Sequence, residues 1–154
     1  MKRLFLSLAF LAVANIANAH DYTIGELSVE HPIAFVTPKT ARAGGGYMSI
    51  TNSGSTDDRL LEVRAEFPRV MFHNTEMDGE VAKMVHLNSL DIPAGETVTL
   101  EPGGLHVMFM GLSAPFEVGE TIEATLVFEQ SGELEITFNV EARPDAGHSD
   151  HANH

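Results

Sequence analysis

From Tyr22 onward no stretch of the chain sustains a helical period; short runs of β-formers follow one another, broken at regular intervals by Gly, Pro, Asn and Asp. That pattern predicts an all-β fold. The runs fall at 22–29, 46–52, 59–66, 69–77, 80–87, 97–100, 105–111, 121–129 and 133–141. Their number and spacing match a Greek-key β-sandwich of cupredoxin-like or immunoglobulin-like type. Between the first two runs, HPIAFVTPKTARAGGG reads as a long surface loop with room for one irregular strand. In it Gly44, Gly45 and Gly46 supply backbone freedom, since no helix follows to make a phosphate cradle. His31, before Pro32, reads as a hydrogen-bonding structural residue, and NSGSTDD at 52–58 as a turn.

A chain of 154 residues with 44 % hydrophobic content supports one core and is too short for two ordinary domains. Residues 1–19 stand apart from it. Lys2 and Arg3 make a basic start, residues 4–13 are an apolar run too short to span a bilayer, and Ala17-Asn18-Ala19 is a small-x-small cleavage site. The expectation is export to the periplasm with cleavage after Ala19, leaving a mature chain that starts at His20 and has no membrane span. The domain then runs over 20–143, and 144–154, ending in AGHSDHANH, reads as a disordered tail.

Without Lys2 and Arg3 the formal charge goes from −13 to −15, seven basic residues standing against 22 acidic ones. Nucleic acid and anionic lipid are poor partners for such a surface; a cation or a basic protein face fits it. Cysteine is absent, although disulfides are the usual staple of exported proteins. The fold must therefore hold by its core, and a metal site must use other ligands. A blue-copper electron-transfer centre, which needs a cysteine, is excluded.

The stretch 73–110 collects three of the eight histidines and four of the seven methionines. Within it Asp78-Gly79 is a strong signal for a two-residue type I′ hairpin. Such a turn sets Met77 against Glu80, His73 against Met84 and Met71 against His86, with directly opposed Cβ atoms about 4.5–5.5 Å apart. In LHVMFM the strand period puts His106, Met108 and Met110 on one face and Leu105, Val107 and Phe109 on the other. Two imidazoles and two thioethers form a soft donor set that suits Cu(I) better than Mg, Ca or Mn, whereas zinc would recruit thiolate or carboxylate. Taken singly, each methionine reads as core and each histidine as a surface or hydrogen-bonded residue; only the joint pattern points to metal. Met110 reads as core, Met71 and His86 as a solvent-facing pair with a supporting or entry role for the metal as the alternative, and Met77 as exposed.

Other histidines offer weaker donors. His148, His151 and His154 recur every third residue and could collect Cu(II), beside the plain alternative of a solubilising tail. His20, as a mature N-terminus, would join an amine to an imidazole and could serve as an auxiliary Cu(II) ligand. No Ser/His/Asp set, paired catalytic carboxylates or nucleotide loop is visible, so the expectation is a protein that is not an enzyme. Two alternatives stand beside a metal carrier: a non-catalytic immunoglobulin-like accessory module, and a copper oxidoreductase using His20.

The spacing of His73, Met84, His106 and Met108 reproduces H-x10-M-x21-H-x-M and resembles the periplasmic copper chaperone family PCuAC. The likeness extends through VEHPIAF, GGYMSITNSG, DRLLEV and IPAGETVTLEPGGLHVMFMGL. What the resemblance implies is a cupredoxin-like sandwich, capable of acting as a monomer, that binds one Cu(I) through those four residues. It further implies delivery to an acceptor such as a cytochrome c oxidase subunit or another copper carrier.

Overall fold

The computed structural model describes residues 21–144. The expected leader, His20, and the tail histidines His148, His151 and His154 lie outside the described residues. The described residues form eleven strands and no helix: β1 (Tyr22–Ile24), β2 (Leu27–Phe35), β3 (Ala43–Asn52), β4 (Asp58–Ala65), β5 (Arg69–Asp78), β6 (Val81–Leu87), β7 (Leu90–Ile92), β8 (Thr97–Leu100), β9 (Leu105–Met110), β10 (Thr121–Phe128) and β11 (Gly132–Glu141). Among these residues no helix is long and apolar enough to cross a membrane.

One hydrogen-bonded path runs β6-β5-β9-β3-β2-β11-β10-β4-β7, with β8 added to β3 and β1 to β2. The pairing is antiparallel except for β2 with β11, which is parallel. Strands remote in sequence therefore sit side by side, as in a Greek key. The path folds over on itself so that β4 meets β5 and β7 meets β3.

Strict alternation explains why the layers close. In β10 Ile122, Ala124, Leu126 and Phe128 point inward, and Ile136, Phe138 and Val140 of β11 do the same. With Val29, Ile50, Leu60, Ile92, Val107 and Phe109, all at 0 % exposure, they form one core. Each such side chain contributes about 1.5–3 kcal/mol on burial, which is how a domain without a disulfide holds together.

Two buried polar residues anchor the end of the fold away from β5. Asn52 donates from Nδ2 to the carbonyls of Thr56 at 2.9 Å and Ile92 at 3.0 Å, and its Oδ1 accepts from Gly54 N–H, organising the expected turn. Asp58 accepts from Arg59 N–H at 2.7 Å, Gln130 N–H at 2.9 Å, and both the backbone and the hydroxyl of Ser131 at 3.1 and 2.6 Å. Burial alone would raise the Asp58 carboxyl; these hydrogen bonds together outweigh it and hold the group below its ordinary value.

The structure corrects the sequence expectations in three places. The run at 22–29 is not one strand but a hairpin, split where Gly25 takes φ 55°. The strand β7 was not expected at all. The third correction concerns the segment read as a loop, of which only residues 36–42 lie between strands. Its first part continues β2 through a bulge, where exposed His31 has φ 53° and the register shifts between Glu30 and Ile33. Its glycines belong to β3. They are there for close packing, not for turning: a Cβ on Gly44 would collide with the Phe116 ring, and one on Gly46 would meet Phe109 at 2.8 Å.

Replacing Asp58 by alanine strands three backbone N–H groups, those of Gln130 and Ser131 at the β10–β11 turn and that of Arg59 at the start of β4. The expected loss is about 2–3 kcal/mol of stability, read from the urea midpoint, while the far-ultraviolet spectrum of the folded state stays that of a β-protein.

Candidate metal centre

β5 lies between β6 and β9, and this arrangement builds the site. On its inward face Phe72 (4 % exposed) packs opposite Val107. The strand period then sends Met71, His73, Thr75 and Met77 to the opposite face. His73 is directly opposed to His106 on β9 and to His86 on β6, so three imidazoles form one rung across three strands. The ring centres are 5.8 Å apart on both sides of His73, with interplanar angles of 76° to His106 and 83° to His86.

The hairpin register differs from the one expected. Gly79 and Glu80 form the two-residue turn, with Gly79 at φ 64°, and Asp78 pairs with Val81. Glycine at the first central position is the signature of a type II′ turn, where the sequence suggested type I′ centred on Asp78-Gly79. Partners shift by two residues: Met84 faces Thr75, His86 faces His73, and Met77 faces Ala82. A shift of two keeps every side chain on its face, so Met84 remains diagonal to His73 rather than opposite it.

On the far side Met71 is opposed to Met108, one rung along from the His73–His106 pair. Both are half-buried and neither belongs to the core cluster. Met110, expected in the core, is also half-buried outside it, opposite Arg69 and Ala43. Met77 is exposed, as expected, at 65 %, and Met84 at 58 %. The Met71–Met108 contact has no signal in local sequence pattern, because β5–β9 pairing is set by distant contacts. The same holds for Tyr47, whose side chain covers Gly45 beside Met108 and whose ring centre lies 6.5 Å from that of His106.

The two opposed histidines carry the decisive chemistry. His106 is 4 % exposed, and its Nδ1 stands 2.9 Å from the carbonyl oxygen of Gly104. A carbonyl only accepts, so Nδ1 carries the proton and Nε2 of the neutral ring presents a lone pair. That Nε2 is buried and has no partner; the same is true of His73 Nδ1. Among the described residues these are the two buried side-chain polar atoms left unsatisfied. Leaving such an atom unpaired costs about 1–3 kcal/mol, so their coincidence at opposed rings calls for a ligand. A metal about 2.0 Å from one nitrogen of each ring would set the ring centres roughly 5–6.5 Å apart, and the observed 5.8 Å falls inside that range. No group of three or more His, Cys, Asp or Glu side chains is arranged to hold a metal among the described residues, so further donors here would be thioethers.

The fold is the cupredoxin-like, immunoglobulin-like β-fold of PCuAC domains, with an imidazole–thioether cluster on three of its strands. A copper-bound PCuAC domain from PmoF2 superposes with a TM-score of 0.70 at 34 % identity, covering 80 % of this chain and 99 % of that one. The apo PCuAC domain from PmoF1 gives 0.69 at 31 %, covering 80 % and 100 %. The Cu(I) form of DR1885 from Deinococcus radiodurans gives 0.62 at 29 %, covering 83 % and 85 %. The chain belongs to the family described as "Putative lipoprotein LpqE-like", which matches residues 27–140. A curated relative from Leifsonia xyli subsp. xyli, named "Putative lipoprotein Lxx21020", is 60 % identical over 37 residues, a match spanning 24 % of this chain and 22 % of that one.

Burial first, then the neighbouring His106 and His86, lowers the His73 pKa below the ordinary histidine value. A neutral ring is the form that binds metal. In the metal-free protein the His73 resonances should titrate below about 6.5. Because the unfolded chain takes up that proton first, stability should fall as pH drops through the ordinary histidine value. A midpoint at or above it in an NMR titration would contradict the burial argument.

Proposed function

We propose that this chain is an exported copper carrier that binds one Cu(I) through His73, Met84, His106 and Met108 and releases it to a partner by ligand exchange. The observation that carries the reading is the pair of unpartnered imidazole nitrogens, His73 Nδ1 and His106 Nε2, on opposed rings. Met108 follows His106 on the same face of β9, and Met84 sits diagonal to His73 on β6. Neutral, polarisable sulfur beside neutral imidazole favours Cu(I) over hard cations. The homologous domains whose structures hold copper or Cu(I) support the same cargo.

Exposure of the thioethers suits transfer. Met84 stands on a strand at the edge of the sheet and is 58 % exposed, so an incoming ligand can replace it before the buried His106 lets go. A net charge of −13 draws in cations and complements a basic face on an acceptor. The acceptor we infer is a copper-requiring partner outside the cytoplasm, such as a cytochrome c oxidase subunit during assembly of its copper centre, or a second carrier. Export to the periplasm with removal of residues 1–19 fits the basic start and apolar run of that segment. The role is that of a carrier and not an enzyme.

The accessory-module alternative requires both histidines to be satisfied by protein hydrogen bonds, and the two unpartnered nitrogens count against it. The three evenly spaced tail histidines support an auxiliary Cu(II)-collecting role for residues 144–154.

An anaerobic Cu(I) titration followed by X-ray absorption should find two nitrogens and two sulfurs at the metal. Met84→Leu or Met108→Leu should weaken Cu(I) binding at least about tenfold with little change in the unfolding midpoint; unchanged affinity against a competing chelator would sink the assignment. Deletion after Pro144 should abolish Cu(II) uptake and leave the Cu(I) site intact, and Cu(II) stoichiometry that survives the deletion would remove the tail's role.

A further inference from the structure

The rung of three imidazoles is larger than one four-ligand site requires. His86 plays no part in the donor set above, yet it stands as close to His73 as His106 does, 5.8 Å between ring centres, on the other side. We propose that the site offers its one Cu(I) two adjacent positions, occupied one at a time and sharing His73, and that His86 is the imidazole of the outer one.

Three observations carry this. Both ring separations lie within the roughly 5–6.5 Å that a metal about 2.0 Å from each ring would impose. Among the described residues no three imidazoles are arranged to hold one ion, so His86 on β6 and His106 on β9, whose strands flank β5, serve separate positions. The positions also differ in access: the inner one has His106 at 4 % exposure with half-buried Met108 and Met71, whereas the outer one has exposed His86 with Met84 at 58 %. His86 and Met84 are two residues apart on one face of β6, so the outer position has its own imidazole and thioether.

The outer position is where copper arrives and leaves. A neutral His73 ring has one lone pair and serves one position at a time; the ion passes inward as its bond to His86 is replaced by one to His106, over a step short enough to need no release to bulk water. Met84 follows the ion inward, which explains how an exposed thioether serves a site whose other donors are sheltered. Partner ligands then need reach only the β6 edge.

The inference rests on the Cu(I)-carrier reading and is tested through kinetics. Cu(I)-loaded protein is mixed anaerobically with an excess of a chromophoric Cu(I) chelator and withdrawal is followed by stopped flow. His86→Leu should slow withdrawal about tenfold while changing equilibrium affinity less than about threefold, and His86→Met should restore the rate. His86 is exposed on an edge strand, so neither change threatens the fold. Wild-type rates in His86→Leu, or an affinity loss as large as that of His106→Leu, would overturn the two-position arrangement. A wild-type chain that takes up no Cu(I) would overturn the carrier reading and this inference with it, whereas normal uptake with an unchanged rate removes this inference alone.

Discussion

The burial of Phe72 against Val107 decides where everything else in the site points. Successive residues of a strand face opposite ways, so a phenylalanine held in the core obliges His73 to face outward, and Val107 imposes the same on His106. A slip of one residue would drive both imidazoles into the core and both apolar side chains into water. The metal chemistry thus inherits its precision from hydrophobic burial, at about 1.5–3 kcal/mol for each side chain concerned. The Gly104 carbonyl adds the remaining constraint by fixing which nitrogen of His106 stays free.

The strand on the other side of β9 shapes the floor of the site. β3 runs beside β9 through Gly44, Gly45 and Gly46, where side chains would strike Phe116, Tyr47 and Phe109 in turn. Their smallness leaves room for the hydroxyl end of Tyr47 against Gly45, the partner of Met108 on β9, with the Tyr47 ring 6.5 Å from that of His106. Burial raises the Tyr47 hydroxyl above its ordinary value, and the charge of Arg143, which sits 5.8 Å over the neighbouring Phe35 ring, only partly offsets this. A phenol kept protonated offers no anionic oxygen to a metal. The donors within reach are imidazole nitrogens and thioether sulfurs, and hard cations, which want oxygen, find nothing to prefer.

Much of this was legible in the chain because strand parity is a local property. The faces of β5, β6 and β9 follow from alternation alone, and they remained correct when the hairpin turned at Gly79-Glu80 and its register moved by two residues. The turn itself was misread because Asp-Gly and Gly-Glu both put a glycine where positive φ is needed, and only the position of that glycine in the turn distinguishes them. What could not be read locally is the lateral order of strands. That Met71 meets Met108, that His106 flanks His73 opposite His86, and that the glycine triplet is a packed strand all depend on pairings across roughly 30 to 65 residues. β7 escaped notice because three residues, Leu90–Ile92, are too few to display a period.

Holding the donors on strands also explains how a carrier can give its cargo away. In a site built from loops, losing the metal commonly means losing local order, and the metal's binding energy is then part of the folding energy. Here the strands are held by Phe72, Val107 and Phe109 beneath them, and emptying the site exposes only the two imidazole nitrogens to an unsatisfied state. That penalty, about 1–3 kcal/mol for each nitrogen, is small against the core and is felt only by the empty form. It raises affinity for an incoming ion without making the fold depend on it. Release is then a matter of offering better ligands at the exposed β6 edge, and no part of the sandwich has to open.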